Sequence, residues 1–212
     1  DDVSVLAQPV TFNSRTIPNS LAIHPMEGCD SDASGRPGQL TLRRYKRFAA
    51  GGAGLIWAEA IAVVEEGRAN PRQLWIAEHT KNDFKELVRM IREEADGSMG
   101  SAHRPVIVAQ LTHSGRYSRP DGILKPIIVQ RDPYRDGLIP QKIPDINVES
   151  KISKDYPLVT DEYLKKLQDQ YVTAAKLAYE AGFDAVDIKA CHGYLINELL
   201  AAHFLKLWAV IS

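Results

Sequence analysis

The sequence predicts an α/β protein in which a parallel sheet is covered by helices. Three observations carry this reading. Short apolar runs begin near residues 20, 54, 105 and 183. Segments with helical apolar spacing lie between them. Each run ends in a polar cluster, as expected where ligands sit beyond the carboxyl ends of parallel strands. The spacing grows because the loops grow, so this is a β/α series without an exact repeat. Two architectures satisfy it, a doubly wound open sheet and part of a (β/α)8 TIM-type barrel, and the periodicity alone does not separate them.

The elements follow in order. Val10-Thr11-Phe12, the turn Asn13-Ser14-Arg15 and Thr16-Ile17 read as an N-terminal hairpin, punctuated by Pro18-Asn19. Ser20 to Met26 is the first core strand, with Pro25 near its end. Leu42, Tyr45 and Phe48 mark a helix from Leu40 to Ala50 that Gly51-Gly52 stops. Gly54 to Val64 is the second strand. Phe84, Leu87, Val88 and Ile91 place a helix over Thr80 to Ala95, ended by Asp96-Gly97. Pro105 to Leu111 is the third strand. Thr160 caps a helix running to Glu180, and Asp161 and Glu162 suit its positive end. Its expected apolar stripe is Leu164, Leu167, Tyr171, Ala175 and Ala178. Phe183 to Ile188 is the fourth strand. The stretch from Ser114 to Val159 holds Pro120, Pro126, Pro133, Pro140, Pro144 and Pro157 and reads as a long loop, either a lid or the carrier of a small hairpin. Leu195, Ile196, Leu199, Leu200, His203, Phe204, Leu207 and Trp208 predict one amphipathic helix from Tyr194 to Val210.

Composition excludes several classes. The net charge of −1 argues against a surface built to coat nucleic acid or an anionic membrane. No apolar run approaches the roughly 18 residues of a membrane span. Residues 1–20 show no signal-peptide core, and Cys29 and Cys191 make no disulfide framework, so a reduced, cytoplasmic setting is expected. No GxGxxG follows a strand, and Gly51-Gly52-Ala53-Gly54 precedes one, where a phosphate would not meet a helix N-terminus. No metal site is expected. His113 and His192 with Glu27 lack a local ligand spacing. A Cys191 nucleophile is disfavoured, because adjacent side chains do not easily allow a Cys191–His192 hydrogen bond.

The fourth strand end is the richest in chemistry. Alternation places Asp187 and Lys189 on one face, about 6.6 Å apart, with Val186 and Ile188 facing the helices. Asp187 is the expected partner of a buried Lys189. Lys189, His192 and Tyr194 combine a cation, an imidazole and a phenol, which together can polarise a carbonyl and deliver a proton. The competing readings are a structural ion pair for Lys189 and a capping or core role for His192. A lyase using Lys189 as a Schiff base is a further alternative.

At these strand ends the sequence resembles the NADH:flavin oxidoreductase/Old Yellow Enzyme family. The matching pieces are Asn19 with Ile23-His24-Pro25-Met26, and Gly51-Gly52-Ala53-Gly54-Leu55-Ile56 running into Glu59-Ala60. Gln110-Leu111-Thr112-His113-Ser114-Gly115-Arg116 follows, then Ala181-Gly182-Phe183-Asp184 leading to Cys191-His192-Gly193-Tyr194-Leu195. The resemblance implies a (β/α)8 barrel with FMN at its carboxyl mouth, NAD(P)H as reductant and an activated alkene or related small molecule as acceptor. Carried over by motif, Pro25 and Met26 offer backbone to the flavin ring, Ala60 packs against it and Gln110 bonds its pyrimidine edge. Lys189 and His192 hold the acceptor's oxygen, and Tyr194 donates the proton. Two positions depart from the pattern: Lys189 stands where His is usual, and Glu27 where some members carry a redox-tuning Cys. The resemblance also implies four further β/α units after His203, with the phosphate-gripping loops. Phe204 to Ser212 stands there instead. The expectation is therefore about the first four units of a barrel over 1–203, with a divergent apolar tail over 204–212. That tail or a second copy of the chain would cover the open sheet, making a homo-oligomer. The alternative is a flavin-free half-barrel without activity.

Overall fold

The computed structural model describes residues 2–132, 135–137, 152 and 155–202. The N-terminal hairpin is present as β1 (Val10–Phe12) and β2 (Arg15–Ile17), paired antiparallel. Then come β3 (Ala22–Ile23), α1 (Gln39–Ala50), β4 (Leu55–Ala62), α2 (Lys81–Met99), β5 (Val106–Thr112), α3 (Asp161–Ala181) and β6 (Ala185–Ile188). A last helix, α4, is described over 195–202.

The four core strands form one parallel sheet in the order β3-β4-β5-β6. That order decides between the two architectures. A doubly wound sheet reverses its strand order at a switch point, whereas a barrel winds in one direction. Here every strand pairs with the next one in sequence, and α1 packs on α2 and α2 on α3 along one side. The fold is the first part of a singly wound barrel wall.

The helix-facing side is the apolar core. Tyr45, Phe84, Leu87, Val88 and Ile91 meet Ile56, Ala58, Ile107, Ala109 and Leu111 there. The other side is the inner wall. Trp57 is registered with Val108, Ala60 with Gln110, and Gln110 with Asp187, so these residues share that face. A register shift between Ala58 and Ala60 lets Ala58 face the helices while Ala60 faces inward.

Some elements differ from expectation. The first core strand shrinks to two residues. At its start, the Asn19 amide donates to Gly52 O at 2.7 Å and accepts from Gly54 N–H at 2.8 Å and Leu21 N–H at 3.0 Å; at its end, the chain turns locally, with Met26 N–H donating to His24 O at 2.8 Å. Side-chain bonds thus take over part of the strand entry. A Cβ on Gly54 would lie 2.6 Å from Asn19 O, so this junction closes only around glycine. Helix α2 runs past Asp96-Gly97 to Met99 and stops at Gly100, whose φ of +88° ends the helical backbone. Thr160 does cap α3, accepting from Tyr163 N–H at 3.2 Å. The fully buried stripe of α3 is Leu167, Ala174, Leu177, Ala178 and Ala181. Tyr171 and Ala175 pack only partly against the core. The long segment after β5 shows 3-10 turns at Gly115–Tyr117 and Arg135–Gly137 and a parallel bridge between Ile128 and Leu158, with no hairpin among its described residues.

Val186 and Ile188 do lie on the helix side, registered with Ala109 and Leu111, yet remain 39% and 44% exposed. Nothing among the described residues covers them fully. The part of the expected tail helix beyond residue 202 lies outside the described residues. Among those residues, no helix is long and apolar enough to cross a membrane, and no group of His, Cys, Asp or Glu is arranged to hold a metal.

Candidate active site

The carboxyl ends of β3, β4, β5 and β6 bring the candidate residues to one rim. The segment after β3 is fixed from below by Glu59, within β4. Its Oε2 accepts the Gly28 N–H at 2.9 Å. Arg44 Nη2 lies 2.8 Å from Glu59 Oε1 and also bonds both Asp30 oxygens. Tyr45 adds a third link, its hydroxyl accepting the Glu59 N–H at 2.8 Å. Burial pushes the Glu59 carboxyl up, while the Gly28 N–H and Arg44 pull it down less strongly. The Glu59 side chain is 1% exposed, and it anchors Gly28, the residue next to Glu27. Sequence reasoning counted Glu59 only as part of a motif. Its signal was a carboxylate inside an otherwise apolar strand, which demands a buried partner.

At the end of β6 the ladder continues one residue further, with Lys189 N–H donating to Leu111 O at 2.9 Å. The Lys189 side chain turns inward and is only 6% exposed. Its ion pair is with Glu27, Nζ to Oε1 at 3.0 Å. The expected partner Asp187 is engaged elsewhere: it accepts from Gln110 Nε2 at 2.7 Å. Local alternation named the nearer carboxylate, but the inward-facing amide on the neighbouring strand reaches it. Tyr194 completes the group. Its hydroxyl lies 3.5 Å from the same Glu27 Oε1, and Lys189 Nζ sits 4.7 Å from the centre of its ring. Burial first, and then the Glu27 charge, push the Tyr194 phenol above its ordinary value. It stays protonated at neutral pH, as a proton donor must.

His192 is placed differently from Lys189. It is exposed, with φ +60°, and its ring lies 6.3 Å from that of Tyr194. In that left-handed conformation its Nδ1 comes within 3.1 Å of Cys191 Sγ. The expectation that these adjacent side chains do not meet is therefore wrong: the positive φ folds the ring back onto its neighbour. Pro25 is half-buried at the rim, and Met26 is 75% exposed there. Ala60 is fully buried, and its carbonyl accepts from Gln73 Nε2 at 3.1 Å.

His113, beyond β5, is structural. Its Nδ1 accepts the Gly115 N–H at 3.0 Å, and its Nε2 lies 2.8 Å from the Tyr163 hydroxyl. Burial pulls its pKa down to about 4, so it is neutral. Next to it, Arg116 is fully buried and ion-paired with Glu198 of α4 and with Asp136.

The NADH:flavin oxidoreductase / NADH oxidase family matches residues 5–206, and the chain belongs to that family. Its members bind FMN and use NAD(P)H. The NADPH dehydrogenase of Geobacillus sp. (strain WCH70) is 31% identical over 202 residues, covering 93% of this chain and 51% of that protein. The NADPH dehydrogenase of Bacillus subtilis (strain 168) is 31% identical over 206 residues, covering 92% and 51%. The chain thus spans about half the length of these curated relatives. Among solved structures, the Old Yellow Enzyme homologue of Zymomonas mobilis aligns with a TM-score of 0.67 at 24% identity, over 91% of this chain and 50% of that one. Old Yellow Enzyme from Pichia sp. AKU4542 aligns with a TM-score of 0.70 at 18% identity, over 91% and 47%. These likenesses support the barrel fold.

The inner face fits the ring end of FMN. Ala60 lies fully buried behind that face and adds no bulk to it, and Gln110, 6% exposed, offers an amide. Trp57 Nε1 and Thr112 Oγ1 on the same face are buried without a hydrogen-bond partner among the described residues. A flat ring with a polar edge matches such a surface.

Proposed function

We propose that this chain builds the acceptor side of an FMN-dependent oxidoreductase that passes hydride from NAD(P)H to an activated alkene or related acceptor. When bound, FMN supplies the hydride-transfer chemistry. The chain's own residues do the rest. Pro25, Met26, Glu27 and Ala60 border the ring, and Gln110 bonds its polar edge. Lys189 and His192 meet the acceptor's carbonyl oxygen, drawing charge toward it, and Tyr194 delivers the proton. The observation that carries this reading is the convergence of Glu27, Lys189 and Tyr194, from two distant stretches of sequence, on one rim beside Gln110. Two free cysteines, Cys29 and Cys191, support a reduced, cytoplasmic setting.

The test is the loss of nicotinamide absorbance when the chain is mixed with FMN, NADPH or NADH, and a cyclic enone under anaerobic conditions. The proposal expects oxidation that requires all components and falls at least tenfold in Lys189→Ala. Oxidation that is independent of the enone, or none at all, would support the inactive half-barrel instead.

A further inference from the structure

The structure places Glu27 and Lys189 in contact. Their separation in sequence is large, yet Nζ and Oε1 are 3.0 Å apart. Lys189 is 6% exposed and Glu27 18%. A buried ammonium requires a partner. The neighbouring Asp187 is bonded to Gln110, so Glu27 takes that place.

The same oxygen that holds Lys189 also lies 3.5 Å from the Tyr194 hydroxyl, and Lys189 stands 4.7 Å over the Tyr194 ring. One carboxylate therefore touches both the cation and the phenol. We infer that Glu27 is a positioning residue: it orients Lys189 and Tyr194 as one charge-compensated unit. This inference rests on the proposed function for the roles of Lys189 and Tyr194, but not for the linkage among the three side chains.

The unit has a definite electrostatic logic. The Glu27 charge disfavours the phenolate of Tyr194, and the ammonium over the ring favours it. The other groups near Tyr194 are Cys29 and Cys191, whose thiolates would raise it, and the His192 and Tyr117 rings at 6.3 and 6.1 Å. Removing Glu27 must therefore ease Tyr194 ionisation, whereas removing Lys189 takes away nothing that opposes the phenolate and must not ease it. A purely structural role predicts something else. Either change would then loosen the pocket, admit water and lower the Tyr194 titration.

The experiment uses the full chain without added flavin. It is labelled with 13Cζ-tyrosine, the Tyr194 resonance is assigned with Tyr194→Phe, and the chain is titrated into the alkaline range. Glu27→Gln, nearly isosteric, is expected to bring the Tyr194 titration down, with at least a tenfold higher phenolate-to-phenol ratio at a given alkaline pH. Lys189→Met is expected to leave Tyr194 no more ionised than in the unaltered chain. A Tyr194 titration lowered in Glu27→Gln but not in Lys189→Met supports the linkage. A Tyr194 titration that is unchanged in Glu27→Gln, or lowered equally in both variants, overturns it. Should Glu27→Gln not fold, the Lys189→Met arm alone decides, since a lowered titration there contradicts the linkage. Failure of the chain to bind FMN would count against the proposed function and leave this result standing.

Discussion

Replacing Arg116 with Met tests whether the end of β5 holds α4 and the following loop in place. The guanidinium is fully buried, and it pairs with Glu198, Asp136 and the carbonyl of Gln130. Glu198 is 2% exposed and also accepts from Val129 N–H at 3.3 Å. Methionine fills much of the space but leaves a buried carboxylate without its counterion. Breaking a buried pair from one side costs about 3–5 kcal/mol. For a chain of this size each kcal/mol lowers the melting temperature by about 2–4 °C, so a fall of roughly 6–20 °C is expected. The sign with pH follows from Glu198. Burial pushes its carboxyl up even with Arg116 present. The folded state then holds a proton that the unfolded state has released, so stability falls as pH rises from the ordinary carboxyl value through the folded one. The deficit of Arg116→Met must therefore be smaller at acid pH than at neutral pH. Thermal unfolding followed by circular dichroism across that range is the assay. A loss below about 0.5 kcal/mol at neutral pH, the scale of an exposed pair, would refute the reasoning.

Other outcomes follow from the same geometry. His113 titrates near 4 in the folded chain and near its ordinary value when unfolded, so its contribution is full above about 6.5 and is lost as pH falls toward 4. The difference corresponds to about 3 kcal/mol. His113→Asn should flatten the acid limb of stability between those values, and an unchanged limb in chemical denaturation would argue against a buried neutral imidazole. Gly115 has φ +57°, and a Cβ there would lie 2.8 Å from Leu195 N and 2.9 Å from its Cα. Gly115→Ala should cost about 1–3 kcal/mol in the same assay, because backbone on both sides must move; a neutral result would contradict the close approach of the β5 end to α4.

The wall of the barrel was legible because burial writes itself as periodicity. The Phe84-Leu87-Val88-Ile91 spacing and the apolar runs at 54, 105 and 183 each became the expected element. Strand order was not legible. It became known only when each strand was seen to pair with the next in sequence, which periodicity does not encode. Boundaries failed where side chains replaced backbone partners, as Asn19 does before β3. At the site, the residue types were visible as polar strand ends, but their pairing was not. Alternation along β6 nominated Asp187 for Lys189, while the folded chain brings Glu27 across the rim and gives Asp187 to Gln110. Contacts between the segment after the first core strand and the end of the last depend on how the sheet curves, and no local pattern reports them. The Cys191–His192 contact escaped for a different reason: it needs a left-handed His192, which nothing in a Cys-His dipeptide announces.

The most direct measurement is an equilibrium titration of the purified chain with FMN, read by flavin absorbance and fluorescence, alongside Gln110→Leu. Gln110 sits at the middle of the inner face, 6% exposed and joined to β6 through Asp187. If the strand ends form one flavin-binding rim, the flavin spectrum shifts on binding. Loss of this buried polar contact then weakens affinity by roughly tenfold or more, a change of about 1.4 kcal/mol. A chain that leaves the flavin spectrum unchanged, or that binds FMN equally well with Leu at 110, would contradict it.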